Sequence, residues 1–502
     1  MAGVTQDKQR VLVVAHTTTF LTELSLFGQL IRTRTDAEVI FYCAFQHWTA
    51  DEFARSCATD GIACLLEPIG EGLARLEMNC STRANPGSGA GSDGTGVWPR
   101  MLERAIAALP TVGASFDAER RAFAARRRDI EALLGAVQPR LLVLGGEMPG
   151  YDTGIFVKAA HDAGVPVLIV PSTMSNGLEQ AEVYYGDPSY HVRGVVRNLI
   201  AALFPRWVRR HKDRRLFRCP PGRVLAMELA GIAPPLPWIF NSGHADAVAM
   251  ESEAMIDYYV ESGLGRDRMV LTGALSDDVM TSRLQHARGL REELCRPLGL
   301  DPDFPMFLTA LPPDFLYVTG GRPQCDFDDY RQLVLFWIDS LADLTGCSCL
   351  VALHPSVDVE SMRWIERPNV RIAPGRTASL VPLCDVYVAS ISSTIRWAIA
   401  CAKPVVNYDV YRYRYTDFLG LKGVLATEER GEFRELLQRL AGDASYRAQV
   451  AEEQKRSAAR WGLLDGKVGD RMLAVVARLS GIGAGHGRPR GSENESAPGQ
   501  MV

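Results

Sequence analysis

Residues 351–356, VALHPS, and residues 371–415, RIAPGRTASLVPLCDVYVASISSTIRWAIACAKPVVNYDVYRYRY, carry the reading from which the rest of the chain follows. The pattern is strand, loop, strand, helix, strand. Val351-Ala352-Leu353 is a short apolar strand that delivers His354-Pro355 at its carboxyl end, where open α/β sheets hold their ligands. Asp385–Ala389 (DVYVA) is a second strand, running into Ser390-Ile391-Ser392-Ser393-Thr394 and then the apolar helical pattern Ile395–Ala400. Hydroxyls and unsatisfied N–H groups at a helix start favour an anion, because donors and dipole act together. Each feature also has a plain structural reading: Ser392 or Ser393 caps a helix, and His354 ends a strand. Standing about 40 residues apart on neighbouring βα units, the crossover spacing, they point together to a phosphate site.

The same alternation extends outward. Val11–Ala15 (VLVVA) is a continuous apolar run, as a parallel strand covered on both faces requires, and it ends at His16. Glu38–Ala44, Ala63–Glu67, Arg140–Leu144, Val165–Val170, Ala247–Met250 and Met269–Thr272 read as further strands, with helical periodicity over Phe20–Arg32, Asp51–Asp60, Phe116–Val137 and Glu251–Ser262. Met306–Ala310 opens a second sheet; Phe327–Leu344, Glu428–Gly442 and Ala444–Trp461 are helices around it. This predicts α/β architecture with two Rossmann-like domains, one over residues 1–283 and one over 284–480. Residues 81–96 are Gly/Ser-rich and read as a flexible insertion, and residues 481–502 as a disordered tail. Residues 205–223 hold eight Arg/Lys against the single Asp213, with Trp207, Leu216 and Phe217 interleaved. A solvated connector is one reading of that segment and peripheral contact with an anionic membrane is the other. The Arg-rich face of the Phe116–Val137 helix (Arg120, Arg121, Arg126, Arg127, Arg128) reads as solvated.

Composition excludes several classes. A net charge of −4 argues against a general nucleic-acid binder. The chain contains no apolar run of membrane-spanning length, about 18 residues, and its start lacks a signal-peptide layout, so a cytoplasmic location is expected. The 11 cysteines form no CxxC and no zinc pattern and read as reduced structural residues, and HExxH, GxxxxGK[ST] and GxGxxG are absent.

Four segments resemble the GT-B glycosyltransferases of bacterial surface polysaccharides, a group related to the UDP-N-acetylglucosamine 2-epimerases. Residues 247–274, AVAMESEAMIDYYVESGLGRDRMVLTGA, are similar to the strand–helix–strand that closes the family's N-terminal domain. His354-Pro355 is similar to the HP motif of capsule, sialyl and CDP-glycerol transferases, Ser390–Thr394 to their serine motif, and Lys403-Pro404-Val405-Val406 to the block after the following helix. The resemblance implies two doubly wound domains facing a cleft. It implies a nucleotide-sugar donor on the C-terminal domain, with His354 at the leaving phosphate and Ser392, Ser393 and Thr394 donating to its oxygens. Arg376, in the turn before the serine strand, is a further candidate for the donor pocket or a surface residue.

A base on the N-terminal domain must take the acceptor proton, and Glu147, Asp152 and His16 are the candidates. Glu147 is favoured, because it follows a buried strand and two glycines; a structural role near the Tyr151–Ala160 helix is the equal alternative. The acceptor expected is a polysaccharide or lipid-linked glycan. No cofactor and no metal is expected, since Asp277-Asp278 and Asp328-Asp329 fall at helix starts where capping suffices. Ala310-Leu311-Pro312-Pro313 and the serine cluster depart from the epimerase pattern, which ranks nucleotide-sugar epimerization behind transfer; a non-catalytic envelope-assembly partner is the third reading.

Overall fold

The computed structural model describes residues 9–68, 97–109, 112–171, 177–316, 325–354, 357–390 and 392–483. The insertion expected over 81–96, and the tail after residue 483, lie outside the described residues. The chain forms two compact units, one of Met1–Thr17, Ala37–Ile169 and Gln180–Asp246, the other of Thr18–Asp36, Val170–Glu179 and Ala247–Val502.

Fifteen strands are present among the described residues. They are β1 (Arg10–Ala15), β2 (Glu38–Cys43), β3 (Ala63–Leu66), β4 (Leu141–Leu144), β5 (Val167–Ile169), β6 (Val208–His211), β7 (Arg214–Phe217), β8 (Ala247–Met250), β9 (Met269–Leu271), β10 (Met306–Ala310), β11 (Ser348–Ala352), β12 (Val370–Ile372), β13 (Val386–Ala389), β14 (Val405–Tyr408) and β15 (Val424–Thr427). One sheet runs β3-β2-β1-β4-β5-β8-β9 and another β12-β11-β10-β13-β14-β15. Each starts at its centre and winds outward in both directions, the doubly wound Rossmann order. The paired strands are parallel, β1 with both β2 and β4, β10 with both β11 and β13. The α/β expectation holds.

The six-stranded sheet shows why its strands are almost wholly apolar. Successive side chains point to opposite faces, and helices cover both. Phe307, Val351, Val386, Val388, Val406 and Tyr408 enter one core, with Trp337 and Phe433. Their neighbours Met306, Leu308, Leu350, Tyr387, Ala389 and Val405 enter the other. Trp337 donates its indole N–H to Thr309 Oγ1 at 2.8 Å, so the one hydroxyl inside β10 is satisfied.

Three differences from the sequence reading have local causes. Strand β12 passed unnoticed because it is three residues long and carries Arg371, whose guanidinium binds the carbonyls of Leu298, Arg367 and Val370. The basic segment 205–223 is built around an antiparallel hairpin, β6–β7, followed by a helix, Pro221–Ala230. Trp207, Leu216 and Phe217, read as interleaved with surface charges, are fully buried; Leu216 and Phe217 are successive on β7 and so face opposite sides of the hairpin, both of them covered, while Trp207 is buried in the turn before it. Arg126 does not join a fully solvated face, for reasons given below.

Candidate active site

In the second unit, Ile372, Val351, Thr309 and Val388 stand in register across four neighbouring strands. The chain leaves three of these strands at the same edge to reach residues singled out from the sequence. Beyond β12 it reaches Arg376, beyond β11 His354, and beyond β13 Ser390–Thr394. Strand β13 is pinned at its start by Asp385, which accepts the Met306 N–H at 2.7 Å and pairs with Arg291 at 2.9 Å.

His354 has an exposed face. Burial of the rest of the ring, then the Arg376 charge, pulls its pKa below the ordinary 6.5. The structure therefore brings His354 and Arg376 into electrostatic contact. Arg376 begins a one-turn helix, Thr377–Leu380, after Gly375, whose φ of +91° favours glycine. Its carbonyl accepts both the N–H and the hydroxyl of Ser379, at 2.9 and 2.7 Å, which fixes the backbone of the turn.

The serine segment forms a hydroxyl cluster rather than a simple cap. Ser392 Oγ and Thr394 Oγ1 lie 2.7 Å apart, and the Thr394 N–H donates to Ser392 Oγ at 3.3 Å. Tyr387, on β13 itself, bonds to the Thr394 hydroxyl. At the start of the helix that follows, Ile395–Ala400, the Thr394 side chain makes no capping hydrogen bond. Ser390 is buried with its hydroxyl unpartnered among the described residues.

Behind this turn the helix carries Arg396 inward. Its guanidinium pairs with the fully buried Asp277 at 3.1 Å and donates to the Trp461 carbonyl at 3.2 Å. Glu23 and Glu251 are buried beside it, and Glu23 accepts the Ser276 N–H at 3.2 Å. Burial raises both glutamates, Glu23 to about 7. Asp277 thus does more than begin a helix, whereas Asp329 is an ordinary cap that accepts the Gln332 N–H at 2.8 Å.

In the first unit, His16 follows β1 directly, and its Nε2 lies 2.8 Å from Asp152 Oδ1. The approach is off the line of a good hydrogen bond, and neither ring nitrogen has a well-aligned partner among the described residues. Phe156 meets the ring edge-on at 5.4 Å, and Tyr151 lies at 6.0 Å. On its other oxygen Asp152 binds Arg126, which also binds Glu67 at 2.9 Å and donates to the Tyr42 hydroxyl at 3.0 Å. Burial alone would raise the Asp152 carboxyl, but His16 and Arg126 bring it down to about 2.

The Arg126 link was missed because the helix was read as one charged face. Helical spacing contained the signal: Arg126 lies three residues after Phe123 and four before Ile130, both buried.

Glu147 is also buried. Its carboxylate accepts the N–H of His244 at 3.1 Å and that of Ala245 at 3.4 Å, and its own N–H donates to Asn241 Oδ1 at 2.8 Å. A Cβ at Gly243 would stand 1.7 Å from Glu147 Oε1, so that glycine is needed for the close approach. Gly146 has a packing reason of its own, since a Cβ there would meet the Phe240 ring at 2.2 Å. The carboxylate holds the Asn241–Ala245 turn, which is a structural role different from the one the sequence suggested near the Tyr151 helix.

In fold the chain is similar to GT-B glycosyltransferases and to UDP-GlcNAc 2-epimerases. The solved glycosyltransferase of kitacinnamycin aligns with a TM-score of 0.50 and 13% identity over 94% of this chain and all of that one. A UDP-GlcNAc 2-epimerase from Neisseria meningitidis, bound to UDP-GlcNAc, aligns at 0.49 with 11% identity over 94% of this chain and all of that one. The glycosyltransferase VinC, in complex with dTDP, aligns at 0.47 with 15% identity over 94% of this chain and all of that one. No protein-family model matches the sequence, and no curated protein matches it.

Proposed function

We propose that the protein transfers a sugar from a nucleotide donor to a glycan or lipid-linked acceptor, in the cytoplasmic synthesis of an envelope polysaccharide, without a metal ion. One observation carries this reading: His354, Arg376 and the Ser392–Thr394 hydroxyls follow the carboxyl ends of strands in one parallel sheet, where a doubly wound fold binds nucleotides. A cation, an imidazole and hydroxyl donors suit a diphosphate leaving group, since each stabilises charge that grows as the glycosidic bond breaks. The surroundings of His354, burial first and then the Arg376 charge, favour its neutral form. An arriving diphosphate opposes that effect, so the ring takes up a proton as donor binds and holds it against the leaving oxygen.

The acceptor's hydroxyl proton needs a base. Of the three candidates, Glu147 already accepts two backbone N–H groups, and Asp152 is too acidic at about 2. His16 remains, with the Asp152 carboxylate 2.8 Å from its Nε2 to stabilise the imidazolium. The ring is buried, with Phe156 at 5.4 Å and Tyr151 at 6.0 Å, so an acceptor reaches it only when a neighbouring group moves.

The test is turnover of purified variants with a nucleotide sugar and an acceptor glycan. His16→Ala is expected to lose about a hundredfold or more in kcat with donor affinity unchanged. Ser393→Ala and His354→Ala are expected to lose a similar factor, with weaker donor binding. EDTA leaves the wild type active. New sugar isomers from donor incubated alone would establish an epimerase instead. Normal glycan output from the His354 and Ser393 variants would establish a non-catalytic role, and chelation followed by manganese rescue would remove metal independence.

A further inference from the structure

The helix Val195–Leu203 displays an apolar stripe to solvent. Val195, Leu199 and Leu203 are 88, 57 and 63% exposed, and their four-residue spacing puts them on one side of the helix. Ile200 and Ala201, on the opposite side, are buried and anchor it. Arg197 also turns back to the protein, donating to the carbonyls of Pro188 and His191.

Cations surround the stripe. Arg193 precedes the helix and Arg206 follows it, both exposed. Arg215, exposed on β7, reaches the helix through Asn198 Oδ1 at 3.3 Å. Arg210 and Lys212 are exposed where the β6–β7 hairpin turns. Eight Arg/Lys stand against two Asp between Asp187 and Leu216; Glu228 pairs with Arg206 and Glu182 with Lys212, each at 2.7 Å, which leaves a local excess of four (8 − 2 − 2) in a chain whose net charge is −4.

We infer that this face docks on an anionic lipid surface, with the stripe entering the headgroup layer and the arginines on lipid phosphates. The argument is charge complementarity joined to shape. A short helix anchored by one side and apolar on the other, ringed by guanidinium groups, has the amphipathic arrangement of interfacial helices. A protein partner of matching acidity is the competing occupant. None of these residues is among those proposed to hold the donor or act as base, so the inference stands or falls independently of the proposed activity.

Co-sedimentation of the full chain with phosphatidylcholine vesicles, with and without phosphatidylglycerol, decides it. Binding is expected only with phosphatidylglycerol present, and it weakens in high salt. Leu199→Glu/Leu203→Glu should lower partitioning about tenfold or more. Arg210→Gln/Arg215→Gln should lower it about twenty-fivefold, roughly fivefold per charge. These exposed positions leave the core untouched, and a melting curve verifies folding. As an independent readout, Leu199→Trp should shift its emission to the blue on anionic vesicles. Equal binding to neutral vesicles, no binding at all, or unchanged binding by the leucine variant would overturn the inference. So would a wild-type dimer that the leucine variant turns into a monomer without changing vesicle binding.

Discussion

His354 shows how one residue acquires a functional state from its surroundings. An imidazole at the end of a strand titrates near 6.5, but here burial and Arg376 both disfavour its charged form. The folded protein therefore binds fewer protons at this site than the unfolded chain does just below pH 6.5. That contribution to stability is complete above pH 6.5 and is lost as pH falls through the lowered value. In an imidazole NMR titration, His354 should titrate below 6.5, move up in Arg376→Ala, and move up again when a nucleoside diphosphate binds. A titration unchanged by both would separate His354 from Arg376 and from any phosphate.

At the scale of elements, the four groups Glu23, Glu251, Asp277 and Arg396 couple the helices Leu21–Arg34, Leu275–Gln285 and Ile395–Ala400 and the end of β8. Three buried carboxyl groups share one guanidinium, so a carboxyl must give up its charge. Burial raises both Glu251 and Glu23, the latter from 4.5 to about 7, and Glu23 is the group whose loss of charge thermal melts can test. Below pH 4.5 it is protonated whether folded or not, and its effect on stability is favourable and complete. As pH rises from 4.5 through about 7 the unfolded chain ionises first and about 3 kcal/mol is lost. Thermal melts of Glu23→Gln should match the wild type near pH 5 and exceed it by several degrees at pH 8. Parallel pH profiles for the two proteins would show that Glu23 does not carry the proton. The same cluster seats the helix that follows the serine turn, which links the fold's interior to the candidate phosphate site.

At the scale of the molecule, donor binding should be visible as stabilisation of the folded state. A nucleotide at 100 times its dissociation constant adds about 2.7 kcal/mol. Thermal-shift measurements against CMP, CDP, UDP and GDP should therefore give one clear increase, and the increase should vanish in Arg376→Ala. Shifts of equal size for the four nucleotides, or a shift retained in that variant, would place nucleotide binding away from these strand ends.

Much of this architecture was legible in the residues. Two series of apolar strands, each broken by helical repeats, specify parallel sheets covered on both faces, because only such strands are apolar at every position. Polar residues at the strand ends marked His354 and the serine cluster, since strand ends are where an α/β sheet opens to a ligand. What the chain order left undecided is which polar groups meet. The sequence favours Glu147 over His16 as a base, but folding sets Glu147 against the backbone of His244 and Ala245 and His16 against Asp152. Arg126, Glu67 and Asp152 are far apart in sequence and form one network only through packing. The aromatic residues among the basic charges of 205–223 turned inward, while Val195, Leu199 and Leu203 were left outside. Periodicity along a chain determines which side of an element is apolar. Tertiary packing alone decides which apolar side finds a partner and which charge finds its counter-charge.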